Sequence, residues 1–260
     1  MLPQALSETS MNCRTLVSFG PAMAIILATA SLNARASITG VTESNGDTDR
    51  PSAKYSGQTF NISNPNGTVL VANYTVPRFG DDVKAFTDRV HEWNAASTTV
   101  ALPKYLVGGE YILNANNNRD NATLSLAVSV SVPSFIYLLI DNRLNDANAG
   151  NPPNLGPGSG KMEWVSVANG WTMAATGNNR AGNAAQPDEV GVDENGDGTV
   201  DNWSSVYRKE VGIGTATLLE FNEAGRNMYG VVVQPTPEPK TWALLLTGVG
   251  LGCWALRRRP

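Results

Sequence analysis

From Thr59 onward the apolar positions of this chain mostly alternate with polar ones, which is the period of strands rather than helices. Thr123 to Val132 is the cleanest case. Leu124, Leu126, Val128, Val130 and Val132 fall on one face, and Thr123, Ser125, Ala127, Ser129 and Ser131 on the other. Pro133-Ser134 breaks the pattern. Phe135 to Ile140 then reads as a strand buried on both faces, ended by Asp141-Asn142. Val69 to Val76, Tyr207 to Val211, Thr215 to Phe221 and Met228 to Val233 read as further strands, with Gly212, Gly214 and Gly225 at the bends. The first two strands around Pro133-Ser134 are expected to pair as a hairpin. That hairpin would bring Asn116–Asn121 and Asp141–Arg143 to one end of a sheet, with Arg143 in reach of Asp120.

One body segment carries a helical period. In Asp81 to Trp93 the residues Val83, Phe86, Val90 and Trp93 recur at spacings of three and four, behind two aspartates suited to a helix N-terminus. An extended loop fits the same residues. Asn145 to Lys161 and Thr176 to Pro187 are rich in Asn, Gly and Pro and read as loops. Many short strands without a βαβ rhythm predict a mainly β fold, an antiparallel β-sandwich of jelly-roll-like form with one short helix or loop insertion.

Both ends depart from this pattern. In residues 1–36, Met11 to Arg14 is a short positive start, Phe19 to Ala30 an apolar stretch, and Ala34-Arg35-Ala36 a small-x-small cleavage site. This predicts a signal peptide, with Met1–Ser10 as an upstream extension or Met11 as the true start. The secreted domain would span 37–235. At the other end, residues 241–256 form an uncharged apolar run followed by Arg257, Arg258 and Arg259. As a helix it would be about 24 Å long, short for a hydrocarbon core of about 30 Å unless its arginines and tryptophans snorkel. The arginines would stay cytoplasmic, placing the body outside the inner membrane.

Pro237-Glu238-Pro239, the short apolar helix and Arg257–Arg259 together resemble the PEP-CTERM sorting signal of Gram-negative bacteria. The resemblance covers residues 235 to 259. It implies processing by an exosortase after passage through the general secretion machinery, a transient stay in the inner membrane, and an association with exopolysaccharide and biofilm. It implies nothing about the chemistry of the body.

Charge and cysteines narrow the body further. Residues 37–235 hold 21 acidic and 13 basic side chains, an excess that disfavours nucleic acid as a partner. Cys13 and Cys253 lie in the two targeting segments, so the body has neither a disulfide nor a thiol nucleophile.

One motif is shaped for a metal. Asp193, Asn195, Asp197, Thr199 and Asp201 follow D-x-N-x-D-G-x-x-D, with Gly198 in the turn position, an oxygen set suited to structural Ca²⁺. Position 12 is Ser204 rather than a bidentate Glu, so the loop resembles those of dockerins and thrombospondin type 3 repeats rather than a full EF-hand. Glu189, Ser204 or water would complete the shell. A solvated Asn/Asp/Gly turn is the competing reading.

Catalytic patterns are sparse. His91 is the sole histidine, and no G-x-S-x-G elbow accompanies it for a triad with Asp88 or Asp141. Carboxylates such as Glu92, Glu110, Asp120, Asp141 and Glu163 have no spacing that fixes a glycosidase pair. Of Trp93, Trp164, Trp171 and Trp203, Trp164 or Trp171 is the candidate sugar platform. No catalytic residues are assigned. The expectation is an exported, non-enzymatic surface or matrix protein, with a carbohydrate-binding module or a polysaccharide-modifying enzyme as alternatives.

Overall fold

The computed structural model describes residues 38–48 and 51–237. The chain divides into two compact units, 1–33 and 34–260. The first lies outside the described residues, as do the expected cleavage site, Glu238, Pro239, the apolar run 241–256 and Arg257–Arg259. Among the described residues no helix is long and apolar enough to cross a membrane.

The described residues are mainly β, in antiparallel sheets. A three-stranded sheet has the order β1 (Ile38–Ser44), β8 (Ser125–Val130), β13 (Gly214–Leu218). A second sheet runs β2 (Lys54–Tyr55), β7 (Glu110–Leu113), β14 (Gly230–Pro235), β9 (Ser134–Asp141), β12 (Asn202–Val211), β11 (Glu189–Asp193), β6 (Glu92–Asn94), β5 (Val83–Lys84). The short β10 (Thr172–Met173) also pairs with β12. A separate hairpin joins β3 (Thr59–Ser63) to β4 (Val69–Thr75). Two 3₁₀ turns, Asn116–Asp120 and Val167–Asn169, complete the regular structure.

The sequence pattern explains where β8 and β9 sit. β8 alternates, and it buries Leu126, Val128 and Val130 while Ser125, Ala127 and Ser129 stay half-exposed. Each of these buried aliphatics contributes about 1.5–3 kcal/mol relative to exposure. β9 does not alternate. Ile136 to Ile140 are all buried, because β9 lies between β14 and β12 with both faces covered.

The two strands therefore do not form the expected hairpin. β8 pairs with β1 and β13, whereas β9 enters the large sheet. A one-faced strand and a two-faced strand need different surroundings, and Pro133 between them has no N–H to continue a ladder. Its carbonyl instead accepts the N–H of Thr236 at 3.0 Å.

The segment Asp81 to Trp93 is not a helix. Asp82 has φ 58°, and Val83 and Lys84 pair across from Trp93 and Glu92. The N–H of Asp82 bonds Trp93 O at 2.9 Å, and that of Ala85 bonds His91 O at 2.8 Å. Val83, Phe86 and Trp93 are nonetheless buried. Their burial satisfies the apolar period through cross-strand pairing rather than a helix face. Val69 to Thr75 is a strand as expected, but on the small hairpin, where most of its residues are exposed.

Trp93 anchors the centre. Its Nε1 donates to Tyr111 Oη at 2.5 Å, and Tyr111 donates on to Ala85 O at 2.7 Å. Gly230 at the start of β14 lies against the same ring. A Cβ there would sit 2.6 Å from Trp93 Cζ2, so the close approach requires glycine.

Candidate functional site

The polar residues singled out in the sequence gather at one end of the large sheet, through partners the sequence did not indicate. Asp141 ends β9 fully buried. It accepts Arg143 Nε at 2.9 Å, Arg143 Nη2 at 2.6 Å and the N–H of Asn227 at 2.8 Å. The next residue, Met228, donates its N–H to Asn116 Oδ1 at 2.8 Å. Asn116 and Asn117 in turn donate their N–H groups to the two oxygens of buried Asp88 at 2.7 and 3.1 Å. The Asn116 and Asp141 clusters thus do meet, bridged by residues 227–228 instead of a hairpin. Arg143 pairs with Asp141 and, at 3.4 Å, with Glu194, not with Asp120, which is exposed.

Glu194 ties this network to the loop of the metal-shaped motif. Its Oε1 accepts Asn202 Nδ2 at 2.6 Å and Asn227 Nδ2 at 2.9 Å. Asp193 beside it is buried and receives the loop's own amides: Asn195 N at 3.0 Å, Gly196 N at 2.6 Å and Gly198 N at 2.6 Å. Burial pushes its carboxyl pKa up, but these amides more than offset that and hold it below the ordinary value. Asn195 Oδ1 accepts Asp197 N, Asp197 Oδ1 accepts Thr199 N, and Asp201 Oδ2 accepts Glu194 N. Among the described residues, Asp197 Oδ2 and Asp201 Oδ1 accept no hydrogen bond, whereas the other oxygen of each does. The side-chain donors of this loop are all oxygen, the type a hard cation takes, and among the described residues no three His, Cys, Asp or Glu side chains converge as a metal site.

Glu189 does not complete that shell. Arg180 grips it in bidentate fashion, Nη2 to Oε1 at 2.9 Å and Nε to Oε2 at 3.0 Å, and Asn142 Nδ2 adds 2.8 Å. Burial alone would raise its pKa, but these donors bring it below the ordinary value. Ser204 is buried in β12 opposite Asp141. Asp188 is a further buried hub, accepting Tyr105 Oη, Thr176 N and Thr176 Oγ1 at 2.8 Å each and Asn178 N at 2.9 Å. The hydrogen bond it accepts and its charge help push the Tyr105 pKa up, after burial of the phenol itself.

His91 packs edge-on to Phe86 at 5.6 Å, with its Nδ1 buried and unbonded. Burial lowers its pKa, and Glu194 opposes the shift. No serine hydroxyl bonds it among the described residues. The tryptophans are engaged as well. Trp93 and Trp171 are buried. Arg180 stacks 3.7 Å over half-buried Trp203, and half-buried Trp164 sits edge-on to Trp171 and Tyr229 while its Nε1 donates to Glu220 O at 2.9 Å.

No family model matches the chain, and no curated protein matches it either. Among solved structures it aligns with a GH138 enzyme targeting pectin rhamnogalacturonan II, at 12% identity and a TM-score of 0.33. That alignment covers 77% of this chain and 18% of the enzyme. The chain therefore spans a small part of that protein's length.

Proposed function

We propose that the chain is an exported, non-catalytic protein of the cell surface or extracellular matrix, associated with exopolysaccharide and sorted through its C-terminal tail. One observation carries this reading. β14, a central strand, ends at Pro235, and Pro237 at the start of the Pro-Glu-Pro box is already exposed. An exosortase cutting at that box would release the body without removing a residue from its sheets. The fold is then a jelly-roll-like sandwich, a layering supported by the apolar cluster that residues of both larger sheets share among the described residues.

The buried carboxylates favour a scaffold over an enzyme. Asp141, Asp188 and Glu189 spend their oxygens on internal donors, so none is poised toward a substrate. Calcium in the 193–201 loop belongs to the same reading, as a brace between the loop and the Glu194 network.

The test is expression in exosortase-positive and exosortase-deficient cells, followed by intact-mass analysis and a pull-down on the cells' own exopolysaccharide. A shortened product ending near the Pro-Glu-Pro box, found only with the exosortase and retained by the polysaccharide, is expected. An uncut chain in both strains would overturn the sorting role.

A further inference from the structure

We propose that the free edge of β13 is a dimer interface, pairing antiparallel with β13 of a second copy of this chain about a two-fold axis at Ala216. β13 is paired with β8 on one side, and among the described residues no strand lies on its other side. Every second residue of a strand turns its N–H and C=O to each edge, so this side presents a row of donors and acceptors. The complement of such a row is another strand.

The other open edges among the described residues are blunted. β2, β5 and β10 are two residues long. β1 shifts register between Ile38 and Gly40 and carries Glu43. β3 and β4 shift register on both sides of Ile62, and Asn73 in β4 turns to φ 52°. Short strands, charges and bulges are the devices that keep an edge from pairing. β13 has none of them. It reads Gly-Thr-Ala-Thr-Leu, without charge or proline, and keeps an unbroken register with β8.

The pattern along the strand selects a second copy as the partner. A two-fold interface sets residue i against j and j against i. Centred on Ala216, the register sets Thr215 opposite Thr217 of the second copy and Gly214 opposite its Leu218. Just outside the strand, Ile213 then meets Leu219 at both ends of the shared ladder. Ile213 is 71% exposed and Leu219 37%, and they lie at equal distances along the chain from Ala216. The two-fold therefore covers apolar side chains that a single copy leaves in water. The Thr215–Thr217 pairs in the middle are favourable cross-strand neighbours, and no like charges meet between 213 and 219. Beyond the strand, Leu219 O accepts Tyr229 Oη at 2.8 Å, so the new ladder stops at Leu218.

The experiment uses the full-length chain with Cys13→Ser and Cys253→Ser, so that one introduced thiol reports the pairing. Opposite Cα atoms of paired strands lie about 4.5–5.5 Å apart, within reach of a disulfide. Under mild oxidation Ala216→Cys is expected to form a disulfide dimer at least about tenfold faster than Ser129→Cys, which lies one strand further from the axis in each copy. Charge then tests the register at the exposed Thr215 and Thr217. Adding Thr215→Lys with Thr217→Lys to Ala216→Cys gathers four like charges around the axis and should slow the cross-link at least about tenfold. Adding Thr215→Lys with Thr217→Glu sets Lys opposite Glu on both sides and should restore it. Melting curves verify that each variant folds. If Ala216→Cys melts early, a mixture of Thr215→Cys and Thr217→Cys chains, opposite one another in the register, takes its place. Equal rates at 216 and 129, an unslowed Lys/Lys chain, or a Lys/Glu chain as slow as Lys/Lys would each overturn the interface.

Discussion

The small sheet and the polar end of the large sheet are stabilised in opposite ways. The small sheet holds on by one apolar face. Its outer face carries Thr42, Ala127 and Thr217 in one row and Gly40, Ser129 and Thr215 in the next, with no charge. The polar end of the large sheet is instead a mesh of buried acceptors, each holding several donors. An apolar face tolerates changes one methylene at a time. A buried acceptor does not, because its loss leaves every donor it served unsatisfied.

That contrast can be broken most forcefully at Asp141. Asp141→Ala strands Arg143 and the N–H of Asn227, and should cost about 3–5 kcal/mol in urea unfolding. A loss below about 1 kcal/mol would show that the mesh is decorative. In the small sheet, Leu126→Ala should cost about 2–5 kcal/mol through its cavity, whereas Ser129→Ala, which loses only the exposed 2.8 Å contact with Thr215, should stay within about 0.5 kcal/mol.

Acid sharpens the comparison further. The Glu189 pKa is lowered in the folded chain, so its contribution is present above the ordinary Glu value of about 4.3 and is lost as pH falls through the folded value. Thermal melts from pH 6 down to pH 2 should show this loss. Arg180→Met should flatten that part of the profile, while the uncharged outer rows of the small sheet give none of it. Calcium is expected to have a modest effect. Millimolar Ca²⁺ should raise the melting temperature by about 3 °C, and EGTA or Asp197→Asn should remove the rise. An identical melt with and without EGTA would end the calcium reading.

Legibility in the sequence followed the range of the interactions. The burial of β8 and β9 was readable because it depends on the period of a few neighbouring residues. Their partners were not, because pairing with β1, β12, β13 and β14 joins residues far apart in the chain. Of the two readings of Asp81 to Trp93, helix or extended loop, the helix is excluded for a related reason. Apolar spacings of three and four also suit a short ladder that folds back on itself. At the polar end, the runs at Asn116 and Asp141 stood out by composition. Asn227 and Glu194, which join them, are single residues in unremarkable surroundings, and only the fold reveals their role.

β14 lies between β7 and β9, yet it is the last strand among the described residues. Long-range pairing of this kind is slow and demands that both neighbours be present. The centre of the large sheet can therefore close only after Gly230–Pro235 has been delivered. A protein built this way stays threadable for as long as that strand is withheld. Folding becomes a late event, timed by the arrival of Gly230–Pro235 rather than by the order of synthesis.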